Sequence, residues 1–360
     1  MKRIAKLLSI ALLWQFSVLI VAPTGHSQTS SNSAPVRKRI VGQQDQSNLQ
    51  ELKEGEALKI DVELVQVIFS VVDAQNRLVT DLQQSDIEIY DSGQRQQIDL
   101  FQRSNSLPMV LAVLLDMSAS QEFLLPDEKI AVETFFDSFF REGKDYGAIL
   151  TFQGDTMISA GLTSNLKRLK TALKRVRREQ DFRDEDGGVP KLGTALYDAI
   201  EISAREVLDG KTAQRITSQS ANSTQSSARA AIRRAMILLT DGIDTASELT
   251  IIQALRNAQR LGIAIYALGM GDRFRFSDVN QQTLDQLCQE TGGRAFYPKS
   301  ESDLNYAFKQ IAAELSSQYI LAYYPRVDSN AQGFREIEIK LPKRNGWRVL
   351  HRRGYVPEEP

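Results

Sequence analysis

The spacing of apolar residues changes along the chain, and each spacing predicts a different kind of structure. From Leu58 to Phe101 apolar residues alternate with polar ones, which is typical of short β-strands. The central part instead alternates wholly apolar runs, such as Met236 to Leu239, with amphipathic segments of helical period. Runs of this kind are buried on both faces, so this part predicts an α/β fold with a doubly wound, mostly parallel sheet between helices. After a last helix, from about Asp303 to Ser316, the period returns to two.

These changes divide the chain into five parts. We expect a signal peptide in residues 1–27, a disordered tether in 28–57, a β-rich segment in 58–104, the α/β domain in 108–316 and a second β-rich segment in 317–356. The tether is rich in Ser, Gln and Asn and has no apolar period. Each β-rich segment needs a hydrophobic partner, so we expect the two to pack into a small all-β unit with the α/β domain inserted between them.

The first residues have the pattern of an export signal. Three basic residues precede an apolar run from Leu7 to Val21, and small residues follow, which predicts cleavage before Gln28. The alternative is an uncleaved anchor, because Ile4 to Ala22 is nearly long enough to span a bilayer. We therefore expect an exported protein, periplasmic, extracellular or on the cell surface, that contacts the membrane only if this segment is kept.

Charge and cysteine content argue against a protein that attracts nucleic acid or anionic lipid and against a protein stabilised by disulfides. The formal net charge of −1 provides no long-range attraction for nucleic acid or anionic lipid. The only cysteine, Cys288, cannot form an internal disulfide. Its helical spacing from Leu284 and Leu287 favours a buried structural thiol.

Polar residues with oxygen atoms gather where apolar segments end. Asp116, Ser118 and Ser120 follow the first central strand in DMSAS, and their alternation can direct all three to one side of the turn. Thr194 opens a helix in KLGTALYDA, and Asp241 closes the next apolar strand in ILLTDG. In open α/β sheets, ligands bind beyond the carboxyl ends of the strands. The five residues therefore predict a binding site at that edge.

Two carboxylates and three hydroxyls suit a hard divalent cation. We expect Mg²⁺, with Mn²⁺ or Ca²⁺ as alternatives, and we do not expect soft metals. If the hydroxyls bind directly and the carboxylates act partly through water, the cation keeps positive charge and one open position. An exposed Asp or Glu of a partner protein could fill that position.

These motifs resemble the metal-ion-dependent adhesion site of von Willebrand factor type A and integrin inserted domains. The resemblance covers roughly Pro108 to Ser316, and all five motif positions are filled. It implies a von Willebrand factor type A domain in 108–316 whose metal ligands are Asp116, Ser118, Ser120, Thr194 and Asp241. It also implies that a ligand at the metal shifts the last helix along its axis. As a whole, the chain is similar to a bacterial family of secreted von Willebrand factor-related proteins.

Two further roles for these residues stay open at this point. Asp, Ser and Thr also favour turns and helix caps, where they need bind no metal. Asp244, in DGIDT, is either a residue that supports the metal ligands or a helix-start residue.

The sequence argues against an enzyme. The only histidines are His26 and His351, so the α/β domain lacks the usual base for a serine nucleophile. Ser118 stands where an aspartyl-nucleophile phosphatase would need a second carboxylate, and no glycine-rich phosphate loop is present. We expect an adhesion or scaffold protein that binds its partner through the metal. The alternative function is a structural subunit of an envelope assembly that docks independently of metal.

Overall fold

The computed structural model describes residues 64–121, 123–177, 193–209, 232–271, 279–326 and 333–357. The predicted signal peptide and tether lie outside these residues. The strands are β1 (Val65–Val72), β2 (Glu88–Asp91), β3 (Gln94–Gln96), β4 (Leu100–Arg103), β5 (Met109–Asp116), β6 (Tyr146–Phe152), β7 (Thr156–Thr163), β8 (Arg233–Thr240), β9 (Ile263–Gly269), β10 (Ala295–Phe296), β11 (Tyr319–Tyr323), β12 (Arg335–Lys340), β13 (Arg348–His351) and β14 (Gly354–Tyr355). The α-helices are α1 (Leu125–Phe139), α2 (Leu166–Arg175), α3 (Leu196–Ile202), α4 (Ile251–Arg260), α5 (Gln281–Thr291) and α6 (Glu301–Ser317). Within the described residues, no helix has both the length and the apolar character needed to cross a bilayer.

The central sheet has the strand order β10-β9-β8-β5-β6-β7. Neighbouring strands are parallel except for β6 and β7, which are antiparallel. The parallel strands follow from the wholly apolar runs, because a strand covered by helices on both faces has no solvent side for polar residues. This sheet confirms the predicted α/β fold.

Helices cover both faces of this sheet. On β5, the odd-numbered residues from Leu111 to Leu115 pack in one apolar layer with α1, α2 and α6. The even-numbered residues from Val110 to Leu114 pack in the other layer with α3, α4 and α5. Cys288 lies fully buried in this second layer, as its helical spacing predicted.

The chain changes direction across the sheet between β5 and β8. From β5 it proceeds outward to β6 and β7, whereas β8, β9 and β10 follow one another on the other side. At such a switch point the connections leave in opposite directions, which opens a crevice beyond the strand ends. Asp116 ends β5 and Asp241 directly follows β8, so both lie at this crevice.

The two β-rich segments pack together, as the sequence predicted. One antiparallel sheet has the order β13-β1-β11-β4 and the other the order β14-β12-β2-β3, so each combines strands from both ends of the described chain. They share one apolar core in which Phe69 stacks on Tyr319. We call these two sheets the β unit.

A buried ionic network also joins the two segments of the β unit. Asp91 in β2 accepts hydrogen bonds from Arg335 Nε at 2.9 Å, Tyr323 Oη at 2.9 Å and Tyr355 Oη at 3.0 Å. A buried carboxylate needs such partners, because taking its charge out of water is costly. The N-terminal strand β2 is thereby held to three C-terminal strands.

The β unit meets the α/β domain at the edge where the parallel strands begin. Directly after β4, the Ser104 backbone N–H and hydroxyl both donate to the Gln318 carbonyl at the end of α6, each at 2.9 Å. Beside the start of β9, Arg352 donates to the carbonyl of Gln259 at 2.6 Å. This docking edge lies opposite the carboxyl ends of β5 and β8, where the predicted site residues lie.

Candidate metal centre

Asp116 emerges from the buried strand β5 and is itself buried, with 1% of its surface exposed. Its Oδ1 accepts from the Ser118 N–H at 2.9 Å, and its Oδ2 accepts from the Thr240 hydroxyl at 2.6 Å. Burial raises the pKa of Asp116 to about 6; these hydrogen bonds oppose the rise, and the charge of Asp241 adds to it. The carboxylate is thus held in one orientation at the end of the strand.

Two serines link Asp116 to Asp241 across the switch point. The chain turns after Asp116 into a short 3-10 helix, Ala119–Gln121. The hydroxyl oxygens of Ser118 and Ser120 lie 3.1 Å apart, and the Ser120 hydroxyl donates to Asp241 Oδ2 at 2.6 Å. Four of the five residues predicted as metal ligands therefore form one hydrogen-bonded cluster.

Thr194 lies at the same edge of the sheet, held by its backbone. Its N–H donates to the Thr245 hydroxyl at 2.8 Å, and its carbonyl accepts from the Thr245 N–H at 2.9 Å. The next residue, Ala195, donates from its N–H to the Gln153 carbonyl beyond β6 at 2.6 Å. Thr194 therefore lies between the loops after β6 and β8. No hydrogen bond among the described residues joins its hydroxyl to the other four predicted metal ligands.

Asp244 connects the loop after Asp241 to the start of α3. Its Oδ1 accepts from the Ser247 N–H at 3.2 Å, and its Oδ2 accepts from the Tyr197 N–H at 3.2 Å. The residue at the helix boundary, Ala195, has no side chain that can cap the helix. Asp244 therefore caps a helix other than the one in its own segment, and so fixes the segment that carries Thr194.

The cluster has the donor chemistry of a hard-cation site. Asp116 and Asp241 are buried, and neither forms a salt bridge with a Lys or Arg among the described residues. Two buried carboxylates without a basic partner leave negative charge uncompensated, which a divalent cation would offset. No group of three or more His, Cys, Asp or Glu side chains suited to a metal occurs in the described ranges, so a cation here would depend on the serine and threonine hydroxyls.

Sequence reasoning did not find two residues of this region. Thr240, on the neighbouring strand, donates a hydrogen bond from its hydroxyl to Asp116. Its position at a strand end, directly before Asp241, could have indicated this role. Glu128 on α1 is fully buried, and burial raises its pKa well above the ordinary value, with the charge of Asp116 adding to the rise. Its spacing from Ala131, Val132 and Phe135 places it on the apolar face of the helix and could have revealed it.

Comparison with known proteins identifies the central domain. The family model of the von Willebrand factor type A domain matches residues 111–310, more than half of the chain. No curated protein matches.

Among solved structures, the chain is similar to conserved hypothetical protein BatB from Bacteroides thetaiotaomicron, with 19% identity, a TM-score of 0.42, and coverage of 59% of this chain and 98% of that one. It is also similar to a von Willebrand factor type A protein from Catenulispora acidiphila, with 11% identity, a TM-score of 0.44, and coverage of 83% and 75%. A third structure is proximal thread matrix protein 1 from the mussel byssus with a zinc-occupied MIDAS motif, with 15% identity, a TM-score of 0.43, and coverage of 61% and 48%.

Proposed function

The chain belongs to the von Willebrand factor type A domain family. We propose that it is an exported protein that binds an acidic side chain of a protein partner through a divalent cation. Asp116, Ser118, Ser120, Thr194 and Asp241 would hold the cation, with Mg²⁺ as the expected ion. The observation that carries the proposal is a pair of buried carboxylates at the switch point that Ser118 and Ser120 link and that have no Lys or Arg partner among the described residues.

The bound cation would supply a positive charge that attracts a carboxylate from another molecule. The residues of the chain set the position of that charge. Thr240 and the Ser118 N–H hold Asp116, the Ile243 N–H holds Asp241 at 3.0 Å, and Thr245 holds Thr194. Because rigid neighbours fix these groups, little ordering cost remains when a partner binds.

The proposed role is binding without catalysis. His351 belongs to β13 in the β unit, and its Nδ1 lies 2.7 Å from the Arg352 carbonyl oxygen. His26 lies outside the described residues. The α/β domain thus offers hydroxyls and carboxylates at the candidate centre but no imidazole to activate them as nucleophiles.

Affinity capture tests the proposal. The full chain is immobilised, incubated with solubilised envelope of the source organism in Mg²⁺, washed and then eluted with EDTA. A parallel column carries Asp241→Ala, and a control column carries Asp137→Ala, which removes an exposed carboxylate on α1 that pairs with Lys170.

We expect the same partner to elute with EDTA from the wild-type and Asp137→Ala columns and to be missing from the Asp241→Ala column. A partner that stays bound in EDTA, and that Asp241→Ala captures equally well, would instead support metal-independent docking in an envelope assembly.

A further inference from the structure

The strand β7 forms an outer edge of the central sheet. It pairs with β6 on one side and has no neighbouring strand on its other side among the described residues. Its sequence TMISAGLT contains no charged residue and no proline, the residues that commonly block such an edge. Met157 is 51% exposed and Ile158 is 45% exposed. The edge therefore offers backbone N–H and C=O groups together with apolar side chains.

The first part of β7 has the regular geometry that a further strand needs. Thr156, Met157 and Ile158 pair with β6 in an unbroken register, and the register shifts only beyond Ile158. Met157 lies opposite Thr151, and Ile158 lies opposite Leu150. Successive side chains of a strand point to opposite faces of the sheet. An added strand would therefore contact one exposed apolar side chain on each face.

The helix α2 covers one face of the sheet beside this edge, and its charged residues are all basic. No acidic residue occurs between Leu166 and Arg177. Leu169 and Leu173 are buried in the apolar layer that α2 shares with α1. Lys170 lies on the side of the helix that faces α1, where it pairs with two acidic residues.

Arg168 and Arg175 lie on the side of α2 that faces away from α1. Successive residues are about 100° apart around a helix, so these two share one side, roughly 130° from the side of Lys170 and Lys174. Because β7 is the outermost strand beneath α2, this side overhangs the open edge. Both arginines are exposed, and neither guanidinium has an acidic partner in the described part of the chain.

We propose that β7 accepts an extended segment of a partner protein as a further strand, and that acidic side chains of this segment pair with Arg168 and Arg175. Hydrogen bonds between backbones supply affinity in such strand addition, and side chains supply specificity. The two arginines are about 10 Å apart along the helix axis, which matches acidic residues roughly two to four positions apart in a strand. A second copy of this chain fits poorly, because it would bring two pairs of arginines together.

Defined peptides test this proposal with the full chain in EDTA at low ionic strength. The probe is a labelled peptide as long as β7 in which glutamate alternates with valine. Matched peptides replace glutamate by glutamine or by lysine, and a further peptide keeps glutamate but is N-methylated at its backbone amides. We expect the glutamate peptide to bind about tenfold more tightly than the glutamine peptide, because each exposed ion pair contributes a factor of up to about five. The N-methylated peptide should not bind, because its backbone donates no hydrogen bond.

Charge reversal assigns the preference to its residues. Arg168→Glu combined with Arg175→Glu should reverse the preference, so that the lysine peptide binds more tightly than the glutamate peptide. The control combines Arg256→Glu on α4 with Lys309→Glu on α6, which makes the same change of net charge at two exposed residues. This control variant should keep the preference for glutamate.

Hydrogen exchange locates the bound peptide. In the presence of the glutamate peptide, amides of Thr156–Ile158 and the residues that follow in β7 should exchange more slowly. A peptide that touches the outer face of α2 alone would leave exchange in β7 unchanged, and that result overturns strand addition.

Further outcomes separate this inference from its alternatives. No preference for the glutamate peptide, or a preference that survives the reversal of both arginines, overturns it. Vesicles of phosphatidylglycerol that bind through the same arginines, while the peptides do not bind, would identify a membrane as the partner instead. Asp241→Ala should bind the glutamate peptide in EDTA as wild type does, so failure of the proposed metal function leaves this inference standing.

Discussion

The hydroxyl of Ser120 donates to Asp241 Oδ2 at 2.6 Å, although 121 positions separate the two residues in the chain. The contact joins the loop after β5 to the loop after β8, the two strands that flank the switch point of the central sheet. Each of these proposed metal ligands therefore depends on the other for its position.

We predict that the chain binds about one Mn²⁺ or Mg²⁺, as expected for one cluster of oxygen ligands. Titration calorimetry should show the loss of measurable Mn²⁺ binding in Asp116→Ala and in Asp241→Ala, because each removes one of only two carboxylates in the cluster. Asp137→Ala should bind as wild type does. Unchanged Mn²⁺ affinity in either cluster variant would show that the cluster is not the metal site.

Thr194→Ala should weaken Mg²⁺-dependent binding of the partner or of an acidic peptide and leave the fold nearly intact. The bonds that hold this residue use its backbone N–H and carbonyl, which alanine keeps. The free energy of unfolding should therefore fall by no more than about 1 kcal/mol, the typical net contribution of one hydrogen bond. Thr194→Ser keeps the hydroxyl and should bind nearly as wild type; if Thr194→Ala does so too, the hydroxyl has no role in binding.

Local spacing was enough to predict much of this fold, because the strands of a doubly wound sheet are apolar throughout. The eight residues of β5 are all buried and all but the last, Asp116, are apolar, which is typical of a strand covered on both faces. The strand β7 was not predicted, because as an antiparallel edge strand it mixes exposed and half-buried residues and shows no clear period.

Contacts distant in sequence account for the site features that the sequence did not reveal. The positions of Asp116, Thr194 and Asp241 at the ends of predicted elements indicated that three segments meet at one edge of the sheet, and in the structure they do. The contacts that fix the segments join residues far apart, such as the Tyr197 N–H and Asp244, which are separated by 47 positions. Neither periodicity nor a short motif records such a pair.

Glu128→Met should stabilise the protein, and more so at high pH. Both carboxylate oxygens of Glu128 are buried without a hydrogen-bond partner, and burial raises the pKa well above 4.5. An acid whose pKa is raised in the folded state binds its proton more tightly there, so stability falls as pH rises above the unfolded pKa. Methionine has a similar length and no charge, and it removes that penalty.

Urea unfolding in EDTA at about pH 5 and about pH 8 measures this effect. The free energy of unfolding of the variant should exceed that of wild type by about 1 kcal/mol or more at the higher pH and by less at the lower pH. Glu133→Met, on the same helix but paired with Lys170 near the surface, should bring no stabilisation at either pH. A stabilisation by Glu128→Met that is equal at both pH values would show that ionisation of the Glu128 carboxyl group does not destabilise the folded protein.

The end of α6 is tied to the β unit without a flexible linker. The helix ends at Ser317 and β11 starts at Tyr319, while the carbonyl of Gln318 between them accepts two hydrogen bonds from Ser104. Within the α/β domain itself, the buried Arg233 side chain at the start of β8 donates to the Leu315 carbonyl near the end of the same helix. A movement of this helix along its axis, which the resemblance to integrin inserted domains implies, would break these contacts.

We therefore predict that the β unit restrains α6 and biases the metal centre towards one affinity for its partner. Such a bias requires contacts that differ between two positions of the helix, and the hydrogen bonds from Ser104 to the Gln318 carbonyl are contacts of that kind. A Gly-Ser insertion after Ser317 separates the helix from the β unit and should change partner affinity by about fivefold, a coupling of about 1 kcal/mol. The same insertion after Gly346, in the exposed turn between β12 and β13, should leave affinity unchanged. If the insertion after Ser317 leaves a folded protein with unaltered affinity and metal dependence, the β unit supports the domain without controlling it.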